Sequence, residues 1–137
     1  MSHVADLGTF ITTMEQSVVS NVTKLRPVTL PSTPCFYNRF RTARFDGSVI
    51  GIKKDITTVT AFLGVGIEEE DLLLNLVDDF IDVCDPILFA NKNDALPHWV
   101  TEGKRTGWTE DVDTWGDTSL RVAIFSIEVE ANEPIVP

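Results

Sequence analysis

Two long segments of strand-forming residues flank the dipeptide Asp46-Gly47, and this arrangement constrains the fold more than any other feature of the chain. The first arm spans residues 35–45 and the second spans residues 48–63. Asp-Gly favours the positive φ angles of a two-residue turn, so the sequence predicts one long β-hairpin that turns there. Alternate residues of the second arm share one face of the strand. They are Ile50, Ile52, Ile56, Thr58, Thr60 and Phe62, interrupted only by Lys54.

Two amphipathic helices are predicted, one on each side of this hairpin. Apolar residues recur at intervals of three and four, which is the spacing of one helix face. The first helix is expected to end at Arg26-Pro27, and the second to span residues 68–88. The two apolar stripes are Leu7, Ile11, Met14, Val18, Val22 and Leu25, then Leu72, Leu73, Leu76, Val77, Phe80, Ile81 and Cys84.

The remaining segments complete a single domain over residues 1–137. Three prolines in residues 27–34 predict an extended crossing segment. After a loop at residues 90–97, we expect a strand at 98–104, a long loop at 105–118 and a final strand at 120–130. The apolar start of that last strand should be covered on both faces, and its end on one. This order predicts an α+β fold, with an antiparallel sheet of about four or five strands and two helices packed on one face.

Charge is segregated along the chain. Residues 68–85 carry eight acids and no base, whereas residues 36–54 carry five bases and one acid, and the whole chain has a net charge of −10. Nonspecific nucleic-acid binding requires a net basic face, so the overall balance argues against it. Hydrophobic residues make up 43% and charged residues 23%, which are globular values and argue against a disordered acidic chain.

No feature of an exported or membrane protein is evident. Residues 1–24 contain no basic n-region and no apolar run of signal or membrane-spanning length. Cys35 and Cys84 are isolated, which predicts two reduced, half-buried thiols. We expect a soluble protein that is made in the cytoplasm.

The sequence offers no catalytic constellation. Catalysis needs a nucleophile with a base, or paired carboxylates in unlike environments. His3 lies at the N-terminus and His98 at the edge of a predicted strand, so neither has a plausible catalytic partner. We expect no enzymatic activity and no cofactor.

The acidic loop at residues 111–117 has a weak likeness to a calcium site. Asp111 and Asp113 stand at two oxygen-ligand positions of a calcium loop, but Trp115 and Val122 stand where further ligands are required. We therefore expect no bound metal. An enzyme that uses Asp111, Asp113 and Asp117 around a divalent ion is the least favoured alternative.

Two aromatic patterns leave several interpretations open. Trp108 and Trp115 lie among acids and are either partner-contacting anchors or a lid over the local core. Arg39 and Arg41 alternate with aromatic residues, as in a solvated strand face or a nucleic-acid surface. A third interpretation has this basic hairpin docking on the acidic helix or loop of the next copy. Such a contact joins two different patches and closes a ring when the rotation permits.

The layout resembles the tail-terminator and tail-to-head joining (neck) proteins of long-tailed bacteriophages. The resemblance covers nearly the whole chain: the first helix, the crossing segment, the hairpin, the helix at residues 68–88 and the closing strands that end in Phe125-Ser-Ile-Glu-Val-Glu130. It implies a virion protein without catalysis, assembled in the host cytoplasm. Such subunits form a hexameric ring between the tail tube protein and the head connector or adaptor. DNA passes through the lumen without specific binding, and no membrane is involved.

The resemblance also implies roles for particular residues. The hairpin would contact the neighbouring subunit. One of the two acidic segments, residues 68–85 or 111–117, would line the lumen, because a negative wall does not bind phosphate, and the other could form a partner face. The contact residues implied are Arg39, Arg41, Arg44, Asp46 and Gly47; the acidic candidates are Glu68, Glu69, Glu70, Asp71, Asp111 and Asp113. The alternative function is a monomeric acidic protein that mimics nucleic acid to block a host protein.

Overall fold

The computed structural model describes residues 4–49 and 52–134, which form an α+β domain as predicted. Its elements are α1 (Val4–Gln16), β1 (Asn21–Val22), β2 (Cys35–Val49), β3 (Ile52–Gly66), α2 (Glu70–Ala90), a 3-10 helix (Lys92–Asp94), β4 (Val100–Trp115) and β5 (Thr118–Pro134). No helix in these two ranges is long and apolar enough to cross a membrane.

Two long hairpins lie side by side in one sheet. The strand order is β1-β2-β3-β5-β4, so β2–β3 and β5–β4 are the hairpins and β3–β5 joins them. All these pairs are antiparallel, whereas β1 pairs with β2 in parallel over two residues, which makes the sheet mixed. Phe62 shows the register, since it pairs with Tyr37 on one side and with Ile124 on the other.

The main core lies between the sheet and the two helices. Phe80 of α2 is fully buried, and its ring centroid lies 4.9 Å from those of both Phe36 and Phe125. Pro86 lies inside α2, which continues to Ala90. The buried face of this helix follows the predicted apolar stripe and consists of Leu73, Leu76, Val77, Phe80, Cys84 and Leu88.

A smaller apolar cluster covers one end of the opposite sheet surface, which we call the open face. The crossing segment contacts this cluster: the indole Nε1 of Trp115 donates a hydrogen bond of 2.9 Å to the carbonyl of Pro27. Farther along β5, Ser126 and Glu128 are half-buried. The prediction that β5 is covered on both faces at its start and on one face later is therefore confirmed. The buried members of the cluster are Cys35, Tyr37, Trp115, Leu120 and Val122.

The first helix is shorter than predicted. It ends at Gln16, and the amides of Val18 and Val19 close the final turn on the carbonyl of Glu15. Valine and asparagine have low helix propensity, and residues 21–22 instead pair with β2. Leu25, predicted to lie on the apolar stripe, is 62% exposed.

The first hairpin does not turn at Asp46-Gly47. Both residues belong to β2, and Val49 pairs with Ile52 across the hairpin. The register shifts between Asp46 and Val49, so the dipeptide lies at an irregularity near the end of the strand. A glycine within a strand often marks such a bulge, and this accounts for the wrong turn prediction.

The segment predicted as a loop at residues 105–118 is mostly strand. β4 runs to Trp115, and the reversal to β5 is made at Gly116, whose φ is +58°. The segment is polar because β4 is an edge strand, and edge strands commonly carry charges. Its register shifts twice, near Thr101 and near Thr106, and these shifts interrupt the two-residue alternation by which a strand is predicted.

Candidate functional site

Arg39 and Arg41 lie on the open face at the outer strand of the first hairpin. Both side chains are exposed. The guanidinium of Arg39 lies 5.8 Å from the ring centroid of Phe62, and that ring stacks on Tyr37 at 4.9 Å. Within the described residues, Arg41 has no hydrogen bond or ion pair. It is a cation available to an outside partner.

The other contact candidates from the sequence lie farther along the same strand. Arg44 pairs in register with Asp55, and Asp46 pairs with Lys53. The side chains of Arg44, Asp46 and residue 47 fall outside the described part of the structure. Their role in a subunit contact stays a prediction.

A network centred on Asp113 ties the crossing segment to the second hairpin. Arg26 donates to both carboxylate oxygens, at 3.0 and 3.1 Å, and the Tyr37 hydroxyl donates at 2.6 Å. Arg26 also stacks over Trp115 at 4.1 Å. Burial favours a higher pKa for Asp113, but the bonds from Arg26 and Tyr37 outweigh it and hold the pKa below its usual value. Asp113 is therefore a structural carboxylate.

Both tryptophans of the second hairpin pack on the sheet. Trp115 is 9% exposed and meets Tyr37 edge to face at 5.6 Å. Trp108 is half-buried, and its ring lies 6.4 Å from Phe125. Of the two interpretations of these residues, the structure shows the indoles folded onto the core. Trp115 is too buried to anchor a partner, whereas a partner contact at the half-buried Trp108 stays a prediction.

The outer side of α2 carries an acidic surface. Leu74, at 43% exposure, interrupts it, and Asp85 is withdrawn from it because Arg105 donates two hydrogen bonds to its carboxylate at 2.7 and 2.9 Å. We define the acidic surface as the exposed carboxylates Glu68, Glu69, Glu70, Asp71, Asp78, Asp79 and Asp82.

A second group of acids lies along β4, whose residues from 105 onward were predicted to be a loop. Glu102 and Asp111 are exposed, whereas Glu110 accepts a bond of 2.6 Å from Arg121. By register, Glu102 pairs with Glu130 and Asp111 with Val122. Both therefore lie on the same open face as Arg39 and Arg41. Sequence analysis missed Glu102 because it was assigned to a different element from Asp111.

The described residues give no support to chemistry at the other candidate positions. In residues 4–49 and 52–134, no three His, Cys, Asp or Glu side chains are grouped to hold a metal ion. His98 is exposed before β4, and His3 lies outside the described residues. Cys35 and Cys84 are buried rather than half-buried. Burial raises their pKa values to about 11 and about 12, so neither thiol is a ready nucleophile.

One ionisable residue that the sequence analysis did not single out is Glu15. Its side chain is fully buried in α1, and the amide of Asn38 donates a hydrogen bond of 2.8 Å to it. Burial raises the pKa of Glu15 to about 8, although the bond from Asn38 lowers it. The spacing of the apolar stripe could have predicted its burial, because Glu15 follows Ile11 by four residues.

The geometry thus sets a basic strand at one edge of the sheet, acids at the other edge, and an acidic helix on the opposite face. No protein-family model matches this chain, and no curated protein matches it.

Proposed function

We propose that the protein is a structural subunit of a long-tailed bacteriophage virion, a tail terminator or neck protein. In this proposal it forms a hexameric ring between the tail tube and the head connector, with a lumen through which DNA passes. The protein acts by assembly and carries no catalytic step.

The observation that carries the proposal is a sheet much longer than the domain core requires. Strands of 15 to 17 residues, as in β2, β3 and β5, extend about 50 Å, whereas α2, with 21 residues, extends about 32 Å. On β2, the apolar clusters end at Phe40, and Arg41, Thr42 and Ala43 are all exposed. Asp55 and Thr57 of the neighbouring strand β3 are buried, so it is the outer strand of the hairpin that is available to a neighbour.

The charge distribution supports a contact between unlike surfaces of identical copies. Arg39 and Arg41 lie apart from both groups of exposed acids, and a copy can present its bases to the acids of the next. Surface ion pairs add little energy individually, but they set register and suppress wrong partners. A heterologous contact of this kind generates a ring when it closes.

We expect Arg41→Glu to weaken assembly by at least about tenfold in the concentration required, which corresponds to about 1.4 kcal/mol per contact. The substitution places a like charge opposite the acids of the neighbour. Sedimentation velocity over a concentration series measures the effect. Lys92→Glu is the matched control, because it produces the same net charge (−10 − 2 = −12) at the exposed 3-10 helix. Equal assembly of the two variants would argue against a contact at the hairpin.

The acidic surface favours a second candidate, a monomeric mimic of nucleic acid. Seven exposed carboxylates lie on or directly before one helix, which is the charge pattern a basic host site would recognise. The mimic requires no self-association. It predicts a monomer at every concentration, and it predicts loss of activity when Asp78, Asp79 and Asp82 are changed to asparagine.

A further inference from the structure

The sheet has two long open edges. On its outer side β2 pairs with β1 only at Cys35 and Phe36, so residues 38–49 have no strand beside them within the described chain. At the other edge, all of β4 (Val100–Trp115) lacks an outer neighbour there. These edges extend about 40 Å and about 50 Å.

An open edge exposes backbone N–H and C=O groups that are not hydrogen-bonded to a neighbouring strand. In an antiparallel pair, every second residue directs its N–H and C=O away from the neighbouring strand. Soluble proteins usually shorten or cover such edges, since they otherwise recruit a further strand. Here β1 covers only two residues of β2, and no described strand pairs with the outer side of β4. Near its end, the Thr114 carbonyl accepts a bond from Arg26, and the amides of Val112 and Thr114 donate to the side chains of Asp111 and Asp113, so the open part of this edge is residues 100–110.

The two edges carry opposite charges on the same face of the sheet. Arg39 and Arg41 are exposed on β2, and Glu102 and Asp111 are exposed on β4, all on the open face. Arg39 and Arg41 lie about 7 Å apart along β2, whereas Glu102 and Asp111 are nine residues apart on β4. In any one pairing of these edges the two arginines therefore face one of the two acids, and a residue directly opposite lies about 5 Å away, where opposite charges attract. Lys104 is a base on the same face of β4, but it forms an ion pair with Glu128 of the same copy at 3.7 Å.

We propose that the open edge of β2 in one copy pairs with β4 of the next copy, so that successive copies join into one continuous sheet. The occupant of each edge is thus a second copy of this chain. This inference rests on the proposed ring function and specifies its contact. It also selects β4 rather than the acidic surface of α2 as the partner of the arginines.

The dimensions are consistent with an open channel. Six copies that each contribute β2, β3, β5 and β4 give a closed sheet of about 24 strands, or about 115 Å in circumference before tilt. Opposite backbones would then lie about 37 Å apart, which is wider than a DNA duplex. The helices are about 10 Å thick and would fill much of that space, so they lie outside and the open face lines the channel. In this arrangement Glu102 and Asp111 are near the lumen, and the acidic surface of α2 is not.

A charge exchange between the edges tests this pairing. One variant, Arg39→Glu/Arg41→Glu, makes both edges acidic; the other, Glu102→Arg/Asp111→Arg, makes both edges basic. We expect each variant alone to form no ring. An equimolar mixture of the two should form the ring, and light scattering measures its mass. The control Asp78→Arg/Asp82→Arg gives the same net charge as the basic variant (−10 + 4 = −6) and is expected to assemble. Circular dichroism verifies the fold of each variant, since all the changed side chains are exposed.

Each other outcome contradicts the inference in a recognisable way. If Glu102→Arg/Asp111→Arg assembles alone while Asp78→Arg/Asp82→Arg does not, the acidic surface of α2 is the partner and edge pairing is wrong, although the ring stands. A mixture that stays dispersed likewise overturns the pairing. If the wild-type protein forms no ring, the proposed function fails with it. Hydrogen exchange provides a second measurement, because edge pairing protects outward amides of residues 38–49 and 100–110 in the assembly but not in the monomer.

Discussion

Replacing Glu15 with glutamine is expected to stabilise the protein by about 3 kcal/mol at pH 7 and to have little effect at pH 4.5. Burial raises the pKa of Glu15 from 4.5 to about 8, so the native state holds a proton that the unfolded chain releases. Stability therefore falls as pH rises from about 4.5 to about 8, by about 1.4 kcal/mol per pH unit. Glutamine is uncharged and removes this dependence.

The hydrogen-bond geometry around Glu15 supports a neutral side chain. Oε2 of Glu15 and Oδ1 of Asn38 are both buried acceptors without a donor, and a protonated carboxyl supplies one. A glutamine amide can donate in the same place while its oxygen accepts from Asn38. The titratable group of α2 that interacts electrostatically with Glu15 is Cys84, whose own pKa of about 12 keeps it neutral in this range.

Urea denaturation at pH 4.5, 6 and 8 measures the effect. Glu68→Gln is the control, because it makes the same chemical change at an exposed position. We expect the control to keep the pH dependence of the wild type. If Glu15→Gln also kept it, Glu15 would be charged in the native state at pH 7 and this account of its burial would be wrong.

Replacing Phe80 with alanine is expected to lower the free energy of unfolding by about 3–5 kcal/mol. Phe80 is fully buried between the rings of Phe36 and Phe125, and its loss leaves a cavity between α2 and the sheet. A loss of this size is a large part of the stability of a domain of this length.

Leu74→Ala on the same helix is the matched control for this prediction. Leu74 is 43% exposed on the acidic side of α2, so we expect a loss below about 1 kcal/mol. Thermal and urea unfolding of both variants compare the two faces of the helix. Similar losses at Phe80 and Leu74 would contradict the orientation of α2, and with it the outward placement of the acidic surface.

The sequence was most informative where apolar spacing and burial agreed. The stripe that contains Leu73, Val77 and Phe80 predicted the buried face of α2, and the two-sided start of β5 followed from Leu120 and Val122. Both predictions concern residues that are buried in the apolar clusters. Hydrophobic periodicity predicts such residues well, because a buried face is apolar at regular intervals.

The errors in the fold arose where backbone pairing opposes a local signal. Asp46-Gly47 favours a turn, but the first hairpin continues its pairing to Val49 and Ile52. Val22 fits a helical stripe, but its backbone pairs with Phe36. The polar edge strand β4 lacks a regular period because its register shifts. These outcomes depend on contacts between residues far apart in the sequence.

The candidate surfaces were predictable in charge but only partly in position. The sequence predicts a basic first hairpin and an acidic second helix, and Arg39, Arg41 and the carboxylates of the acidic surface are exposed. It does not show that Asp113 is engaged by Arg26 and Tyr37, or that Asp111 shares the open face with Arg39. Those contacts depend on the strand order and the register of the folded sheet, which the local sequence does not determine.

The most direct test of the central claim is the mass of the wild-type protein, measured by light scattering during size exclusion across a concentration series. A subunit of 15.2 kDa predicts a ring of about 91 kDa for six copies, visible as a closed annulus by negative-stain microscopy. A species that remains at 15.2 kDa at every concentration would contradict the ring and favour the monomeric acidic mimic.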